Sequence, residues 1–244
     1  MKRIVSRVRA AVDDYKMIQD GDKIAVGVSG GKDSLVLLKA LSDLRRFYPA
    51  KFDIVAITAD MRFNKKDGDF SQIEEMCRQN NIEYVVKPTD LYEIIFEVRK
   101  EENPCALCAR MRRGILHDTA KEQGCNKIAL GHHLDDAAET FMMNLLLESR
   151  VGCFAPVTYL SRKDITMIRP LIYVREREAT AACERLCLPV VESQCPANEQ
   201  TKREDVKILL QKLSEQFGDV PERIVGAMQR GNIDRWEKSS TTED

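Results

Sequence analysis

The sequence predicts an α/β protein: a mostly parallel sheet with helices on both faces, plus a helical C-terminal extension. Four short runs rich in Ile and Val, at residues 23–29, 52–58, 82–87 and 127–131, are apolar on both faces, as buried strands are. Helical patterns separate these runs, and strands that alternate with helices pair in parallel. Such sheets bind ligands at the carboxyl ends of their strands.

The helices follow in order along the chain. Residues 1–15 have the apolar spacing of an amphipathic helix, and residues 33–47 and 71–81 follow the first two strands. Asn103 and Pro104 open another helix, and Gly124 lies just past its end.

Beyond residue 150 the pattern loosens into a loop and a short strand over 151–171, a helix over 175–188, and a strand running into a loop over 189–200. Thr201 and Glu204 form a capping box before the next helix, and a last helix begins at Pro221. We divide the chain into an N-terminal helix (1–20), a central domain (21–193) and a C-terminal part (194–244), together one structural unit.

Composition excludes several classes of protein. With 43% hydrophobic and 32% charged residues among 244, the chain is an ordinary globular protein rather than a disordered one. Its net charge of −1 gives no global attraction to nucleic acid. We expect a cytoplasmic protein with no membrane contact, because no apolar run could cross a bilayer and no leader is recognisable. Its eight cysteines should then stay thiols unless a metal or a catalytic cycle uses them.

The string SGGKDS at residues 29–34 joins the first strand to a helix. Gly30 and Gly31 allow positive φ and close approach of a ligand, and the helix start offers unpaired N–H groups to phosphate. Ser29 and Ser34 add hydroxyl donors. The string is neither a Walker A loop nor a Rossmann fingerprint. A plain strand–turn–helix junction is the alternative.

The string GHHLDDAAETF at residues 131–141 follows the fourth strand. Asp136 and Glu139 could serve only as an N-cap and its partner, or the adjacent Asp135 and Asp136 could hold Mg²⁺ through its waters. In an extended backbone only one of His132 and His133 faces the site, which disfavours zinc bound by the pair.

The string NPCALCARMRRG at residues 103–114 places two thiols beside three arginines. The helix start and Arg110, Arg112 and Arg113 favour thiolates. CxxC alone favours structural zinc, with Cys183, Cys187 or His117 as a further ligand. Otherwise Cys183 and Cys187, at i and i+4 of a helix, are packing residues. Three more cysteines are interpreted as packing residues: Cys77, Cys125 and Cys153.

These strings resemble known families. SGGKDS resembles the SGGxDS signature of PP-loop ATPases, and GHHLDD resembles a motif of tRNA-modifying members. PCALCARMRRGIL, IALGHH, IRPL and CPANEQTKRE together resemble the 2-thiocytidine synthetase family of tRNA thiolases, from the N-terminal helix to about residue 207. The resemblance implies an adenine nucleotide alpha hydrolase-like PP-loop fold, with residues 21–193 as the ATPase domain.

The same resemblance assigns the candidate site. It implies ATP binding by residues of the first two strings, with Asp33, Asp135 and Asp136 as catalytic residues and Mg²⁺ held by Asp135 or Asp136. It implies a [4Fe–4S] cluster on three cysteines, whose fourth iron stays open for sulfur, and tRNA phosphates on the neighbouring arginines. The ATP-binding residues are Ser29, Gly30, Gly31, Lys32, Asp33, Ser34 and His132. The cluster ligands are Cys105, Cys108 and Cys195, and the tRNA-binding residues are Arg110, Arg112 and Arg113.

The implied reaction adenylates the C2 oxygen of an anticodon-loop cytidine and replaces it with sulfur. It implies the tRNA anticodon stem-loop and a cysteine desulfurase as partners; the sequence leaves a monomer or a homodimer open. Two alternatives remain: another PP-loop tRNA modification, such as 2-thiouridine or lysidine synthesis, or a non-enzymatic nucleotide-binding redox sensor.

Overall fold

A six-stranded sheet forms the centre of the molecule. The computed structural model describes residues 1–63, 66–99, 104–191, 195 and 202–239. The sheet has the order β3-β2-β1-β4-β6-β5, and only the β5–β6 pair is antiparallel. The predicted mostly parallel sheet is confirmed. The strands are β1 (Asp22–Gly27), β2 (Phe52–Asp60), β3 (Glu83–Pro88), β4 (Lys127–Ala129), β5 (Val157–Leu160) and β6 (Ile165–Ile168).

Helices cover both faces of this sheet. Ile24 and Val26 of β1 belong to the larger core, while Ala25 between them faces the other side, where Ala120 of α4 packs. Each fully buried Ile or Val contributes about 1.5–3 kcal/mol. No described helix is long and apolar enough to span a membrane. The described helices are α1 (Lys2–Asp14), α2 (Lys32–Arg45), α3 (Ser71–Gln79), α4 (Pro104–Glu122), α5 (Leu134–Leu147), α6 (Glu176–Arg185), α7 (Lys202–Phe217) and α8 (Val220–Arg230), with a π-helix at Glu93–Val98.

Residues from the N-terminal helix and from the C-terminal part of the described chain meet within the larger core. The Tyr15 hydroxyl, just after α1, donates a hydrogen bond to the Trp236 carbonyl at 2.9 Å. Gln229 of α8 donates to the hydroxyls of Tyr15 and Tyr173, each at 3.0 Å. The C-terminal helices are therefore packed onto the α/β core.

The region beyond residue 150 differs most from prediction. Residues 151–171 contain two strands, β5 and β6, where one was expected, because the polar residues 161–164 form a tight hairpin turn. Residues 189–191 form no strand; Val191 makes a single backbone bond, donating to Gly30 at 3.0 Å. The last helix begins at Val220 behind an Asp219 cap, not at Pro221. Asn103 and Thr201 lie outside the described residues.

Candidate functional site: a nucleotide cavity beside three cysteines

The loop between β1 and α2 is shaped to take an anion. Gly30 has φ +85°, which few other residues adopt, whereas Gly31 is extended with φ −75°. Gly31 caps α2 without a side-chain hydrogen bond, so the first amides of α2 remain available to phosphate. The Ser34 hydroxyl donates to the Gly31 carbonyl at 2.8 Å and holds the turn. Positive φ, expected at both glycines, occurs only at Gly30.

A cavity of about 380 Å³ opens from this loop. The carboxyl ends of β1, β2 and β4 form its floor and α4 forms its roof, at the edge of the sheet where the fold predicted a ligand. Its lining residues include Ser29, Asp33, Ser34, Ile57, Ala59, Arg112, Arg113, Leu116, Leu130 and His132. Apolar residues beside phosphate-binding groups suit a nucleotide.

Two of the three predicted tRNA-binding arginines also adjoin the cavity. Arg112 and Arg113 line the nucleotide cavity, because they project from α4 toward the sheet. Arg110 is exposed and does not line it. The run of arginines is therefore divided between the cavity and the surface.

The paired thiols lie on the first turns of α4, directly beside that cavity. Cys105 is exposed, and Cys108 and Cys195 are half-buried. Burial raises the pKa of Cys108; the positive charge of the nearby Arg112 lowers it, and the nearby Cys195 and Cys105 raise it. The three predicted cluster ligands thus interact electrostatically at Cys108. Arg112 favours the thiolate of Cys108 as expected, but burial outweighs it and the pKa is raised overall.

The donor set fits an iron–sulfur site in residue type and in surroundings. The Cys108 sulfur lies 4.0 Å from the Met61 sulfur, against a small apolar cluster that also contains Leu107 and Met111. Apolar surroundings tune such clusters. Among the described residues, no group of three or more His, Cys, Asp or Glu side chains is already arranged around a metal position. Cys105, Cys108 and Cys195 lie near one another, and binding of a cluster would require their sulfur atoms to move closer.

The alternative zinc ligands do not join this group. His117 lies nine residues after Cys108 on the same helix, about 13 Å along its axis. Cys183 is buried near the phosphate loop, where the charges of Asp33 and Lys32 act on the pKa of its thiol. Cys187 is exposed with φ +47° beyond the end of α6, so its predicted packing role is wrong. Packing is confirmed for Cys77, Cys125 and Cys153, which are buried and whose pKa values burial raises.

The two histidines separate as predicted. His132 lines the cavity, while the His133 ring turns away and caps α5. His133 Nδ1 accepts from the Asp136 amide at 3.2 Å, and the His133 amide donates to the Asp136 carboxylate at 2.9 Å. Asp136 is therefore the partner in a capping box, not the N-cap itself.

Both predicted magnesium ligands are engaged by protein groups. Asp135 receives Arg175 Nη2 at 2.7 Å and the Glu176 amide at 2.6 Å. Asp136 receives Arg203 Nη1 at 3.2 Å in addition to its capping bond. Neither residue lines the nucleotide cavity, whereas Asp33 does. These contacts favour the structural role that the sequence left open, and Asp33 has the better position for a metal-bound phosphate.

Lys32 connects the phosphate loop to the C-terminal helices. Its Nζ lies 2.9 Å from Asp33 and 3.1 Å from Glu176, and Glu176 also pairs with Lys207 of α7 at 2.8 Å. Burial alone would raise the pKa of Glu176, but hydrogen bonds from Lys207 and Lys32 lower it to about 2. Lys32 is thus already paired in the structure.

Several site residues were not singled out from the sequence. Arg169 and Arg203 lie in the strings IRPL and CPANEQTKRE, which served only to mark a resemblance, and Arg175 had no signal. Phe154, whose ring packs on His132 at 5.0 Å, sits in a segment interpreted as a loop. Arginines of this kind are recognised only when their contacts in the folded chain are known.

Comparison with known proteins identifies the family of the chain. A family model described as a PP-loop domain matches residues 2–212. The tRNA-cytidine(32) 2-sulfurtransferase of Geobacter sulfurreducens is 39% identical over 235 residues, covering 95% of this chain and 90% of that protein. The protein of the same name from Syntrophotalea carbinolica is 36% identical over 235 residues, covering 95% and 89%.

A solved structure extends the likeness to the fold. The U34-tRNA thiolase NcsA from Methanococcus maripaludis with its [4Fe-4S] cluster matches with a TM-score of 0.74 and 26% identity, covering 94% of this chain and 77% of that one. Matches of this length and identity establish which family the chain belongs to. The chain belongs to the PP-loop family and, within it, to the tRNA 2-thiocytidine synthetases.

Proposed function

We propose that the protein catalyses ATP-dependent thiolation of a tRNA cytidine, at position 32 as in the name of its relatives. The observation that carries this is the position of Arg112, which lines the nucleotide cavity and also lies close enough to Cys108 for its charge to lower the pKa of that thiol. One side chain therefore adjoins both the nucleotide and the thiols. Activation by ATP and delivery of sulfur can take place at neighbouring points of one site.

The reaction divides into two displacements. The cytidine C2 oxygen attacks the α-phosphorus of ATP and expels pyrophosphate, which leaves AMP bonded to that oxygen. A sulfur nucleophile then attacks C2, and AMP leaves with the original oxygen. The phosphate loop holds the departing pyrophosphate through the α2 amides and the Ser29 hydroxyl, while Arg112 and Arg113 offset charge on the phosphates. The Ser34 hydroxyl holds the turn of the loop through the Gly31 carbonyl.

Cys105, Cys108 and Cys195 would hold a [4Fe–4S] cluster, and the bound cluster supplies a site at which sulfur can be carried. Burial raises the pKa of Cys108, so this thiol would have to give up a proton in order to hold iron. Asp33 would hold Mg²⁺, which would offset the negative charge of the ATP phosphates. The exposed Arg110 would contact the anticodon-loop backbone. Cytoplasmic location and sulfur supply by a cysteine desulfurase follow from the family resemblance, and a homodimer stays an open proposal.

The test is to incubate the reconstituted protein with ATP, Mg²⁺, sulfide and unmodified tRNA, and to identify nucleosides by mass spectrometry. We expect 2-thiocytidine and one pyrophosphate per modified base. With ¹⁸O at the cytidine C2 position, the label should appear in AMP. ATP binding without pyrophosphate release would indicate the redox sensor instead.

The modified base also separates the related enzymes. The likeness to a U34-tRNA thiolase makes 2-thiouridine the second candidate. Formation of 2-thiouridine, or of lysidine in a Cys108→Ala variant, would contradict cytidine thiolation while leaving ATP-dependent tRNA modification in place.

A further inference from the structure

A stack of three aromatic rings runs from the C-terminal segment to the wall of the nucleotide cavity. The Trp236 ring lies 6.2 Å from that of Phe154, and the Phe154 ring lies 5.0 Å from that of His132. Such separations are those of attractive aromatic pairs. Trp236 lies beyond the matched domain, which ends at residue 212.

Trp236 is fixed in place from several directions. It is fully buried, and its indole N–H donates to the Phe154 carbonyl at 2.8 Å. Tyr15 packs edge-on against it at 6.3 Å and donates to its carbonyl. Since backbone and ring of Phe154 both contact one rigid residue, Phe154 has little freedom to move.

Arg169 packs against the ring of Phe154. Its guanidinium carbon lies 4.8 Å from the Phe154 ring centroid, a cation–π distance, and Nη1 donates to the Ala155 carbonyl at 2.5 Å. The residue is only 6% exposed, and no described carboxylate pairs with it. A buried arginine without a counter-charge is costly, so the contacts that it makes with Phe154 and Ala155 must offset that cost.

His132 presents one ring edge to the cavity. Its Nδ1 is buried without a hydrogen-bond partner, and the ring lines the cavity. Burial first, then Arg169, lowers the pKa of His132 to about 4, opposed by Asp136 and assisted by Arg203 and His133. The ring is neutral at pH 7. A buried N–H without an acceptor is rarer than a buried acceptor without a donor, so the proton belongs on Nε2.

The position of that ring points to the phosphates. A Cβ added to Gly131 would lie 3.2 Å from the backbone of Asp33 and Ser34, so the chain at residue 131 abuts the phosphate loop directly. We propose that Phe154, held by Trp236 and capped by Arg169, is a positioning residue that fixes the His132 ring so that Nε2–H donates a hydrogen bond to the ATP phosphate chain. This inference rests on the proposed use of ATP, and it gives the C-terminal segment a function in the site.

The test uses Phe154→Leu, with Phe52→Leu as matched control. Phe52 is buried at the opposite edge of the sheet, where β2 begins. Two quantities are measured: the Kd of ATP by calorimetry, and the ring C–H signals of the three histidines by NMR, with His132 assigned from His132→Asn. Phe154→Leu should displace the His132 signals by loss of ring current and weaken ATP binding about tenfold, the loss of one hydrogen bond to a charged group.

Phe154→Tyr, which keeps the ring, should retain both the His132 signals and the Kd. Unchanged His132 signals or an unchanged Kd in Phe154→Leu would overturn the proposal, as would equal effects in Phe52→Leu. Because neither readout involves tRNA, failure of the wild type to form 2-thiocytidine would count against the proposed function alone.

Discussion

The molecule carries two motif-rich regions that look alike in sequence and differ in structure. The phosphate loop and α4 surround an open cavity with Ser34, Asp33 and Arg112 turned into it. The region around α5 holds as many charges, but Asp135 and Asp136 are saturated by Arg175, Arg203 and backbone amides. The first region is arranged to receive a ligand and the second to hold helices together. Residue type alone does not distinguish the two; the partners do.

The largest expected difference comes from neutralising one carboxylate in each region. Asp33→Asn should lower thiolation about 100-fold, as when a charge that acts in the transition state is removed, and leave stability nearly unchanged. Asp135→Asn should lower the unfolding free energy by about 2 kcal/mol, because Arg175 loses a half-buried partner. Turnover and urea unfolding of both variants measure this.

The reverse pattern, with Asp135→Asn folded and inactive and Asp33→Asn active, would restore Asp135 as the metal ligand. Arg175→Lys serves as a control, because it keeps the charge and loses the paired geometry.

The two glycines of the loop test whether the left-handed turn is needed to form the cavity. Gly30→Ala should raise the KM for ATP about tenfold and cost about 1–2 kcal/mol of stability, since φ is +85° and the new Cβ would lie 3.0 Å from Val191. Gly31→Ala is the control: its φ is −75° and its nearest neighbour, the Ser29 hydroxyl, is 3.4 Å away.

Steady-state kinetics and thermal unfolding compare the pair. Equal damage in both variants would mean that the loop lacks room for any side chain, and that the left-handed turn is not the constraint.

The region around α5 should make the unfolding free energy depend on pH. Burial, then Asp136, raises the pKa of Glu139 to about 7, although Arg203 pairs with it at 3.1 Å. The unfolded value is about 4.3, so the folded protein binds more protons between these values and this stabilisation is lost as pH rises through 7. Glu139→Gln should flatten the fall in unfolding free energy between pH 5 and 8, by about 2 kcal/mol.

Denaturant titrations at several pH values test this, with the exposed Glu148→Gln as control. A wild-type stability that rises over this range would contradict the assignment to Glu139.

The smallest effect is expected at Cys187. Because the thiol is exposed beyond α6, Cys187→Ser should change the unfolding free energy by less than about 0.5 kcal/mol. Metal content should also be unchanged, as measured by elemental analysis. Loss of metal from this variant, but not from the buried Cys183→Ala, would bring back the zinc alternative.

Much of the fold was predictable because strand burial and helix periodicity are local signals. The first four strands, the helices between them and the separation of His132 from His133 all follow from such patterns. Only one of the two strands of the β5–β6 hairpin was predicted, because each strand has just four residues and is too short to show a clear period. In the site, SGGKDS located the cavity, but the turn of Arg112 and Arg113 into it depends on how α4 lies across the sheet.

The protonation of Cys108 also could not be predicted from the sequence alone. Its arginine neighbours could be read from the sequence, but its burial beside Met61 could not. The ion pairs of Arg175 and Arg203 join residues 40 to 67 positions apart, a distance at which one sequence carries no pairing signal.

The central claim is that Cys105, Cys108 and Cys195 together hold the iron–sulfur cluster beside the nucleotide cavity. The most direct measurement is iron, acid-labile sulfide and zinc in protein purified without oxygen, for the wild type and for Cys195→Ala. The account predicts about four irons and four sulfides per chain, lost in the variant. One zinc per chain with no sulfide would contradict it.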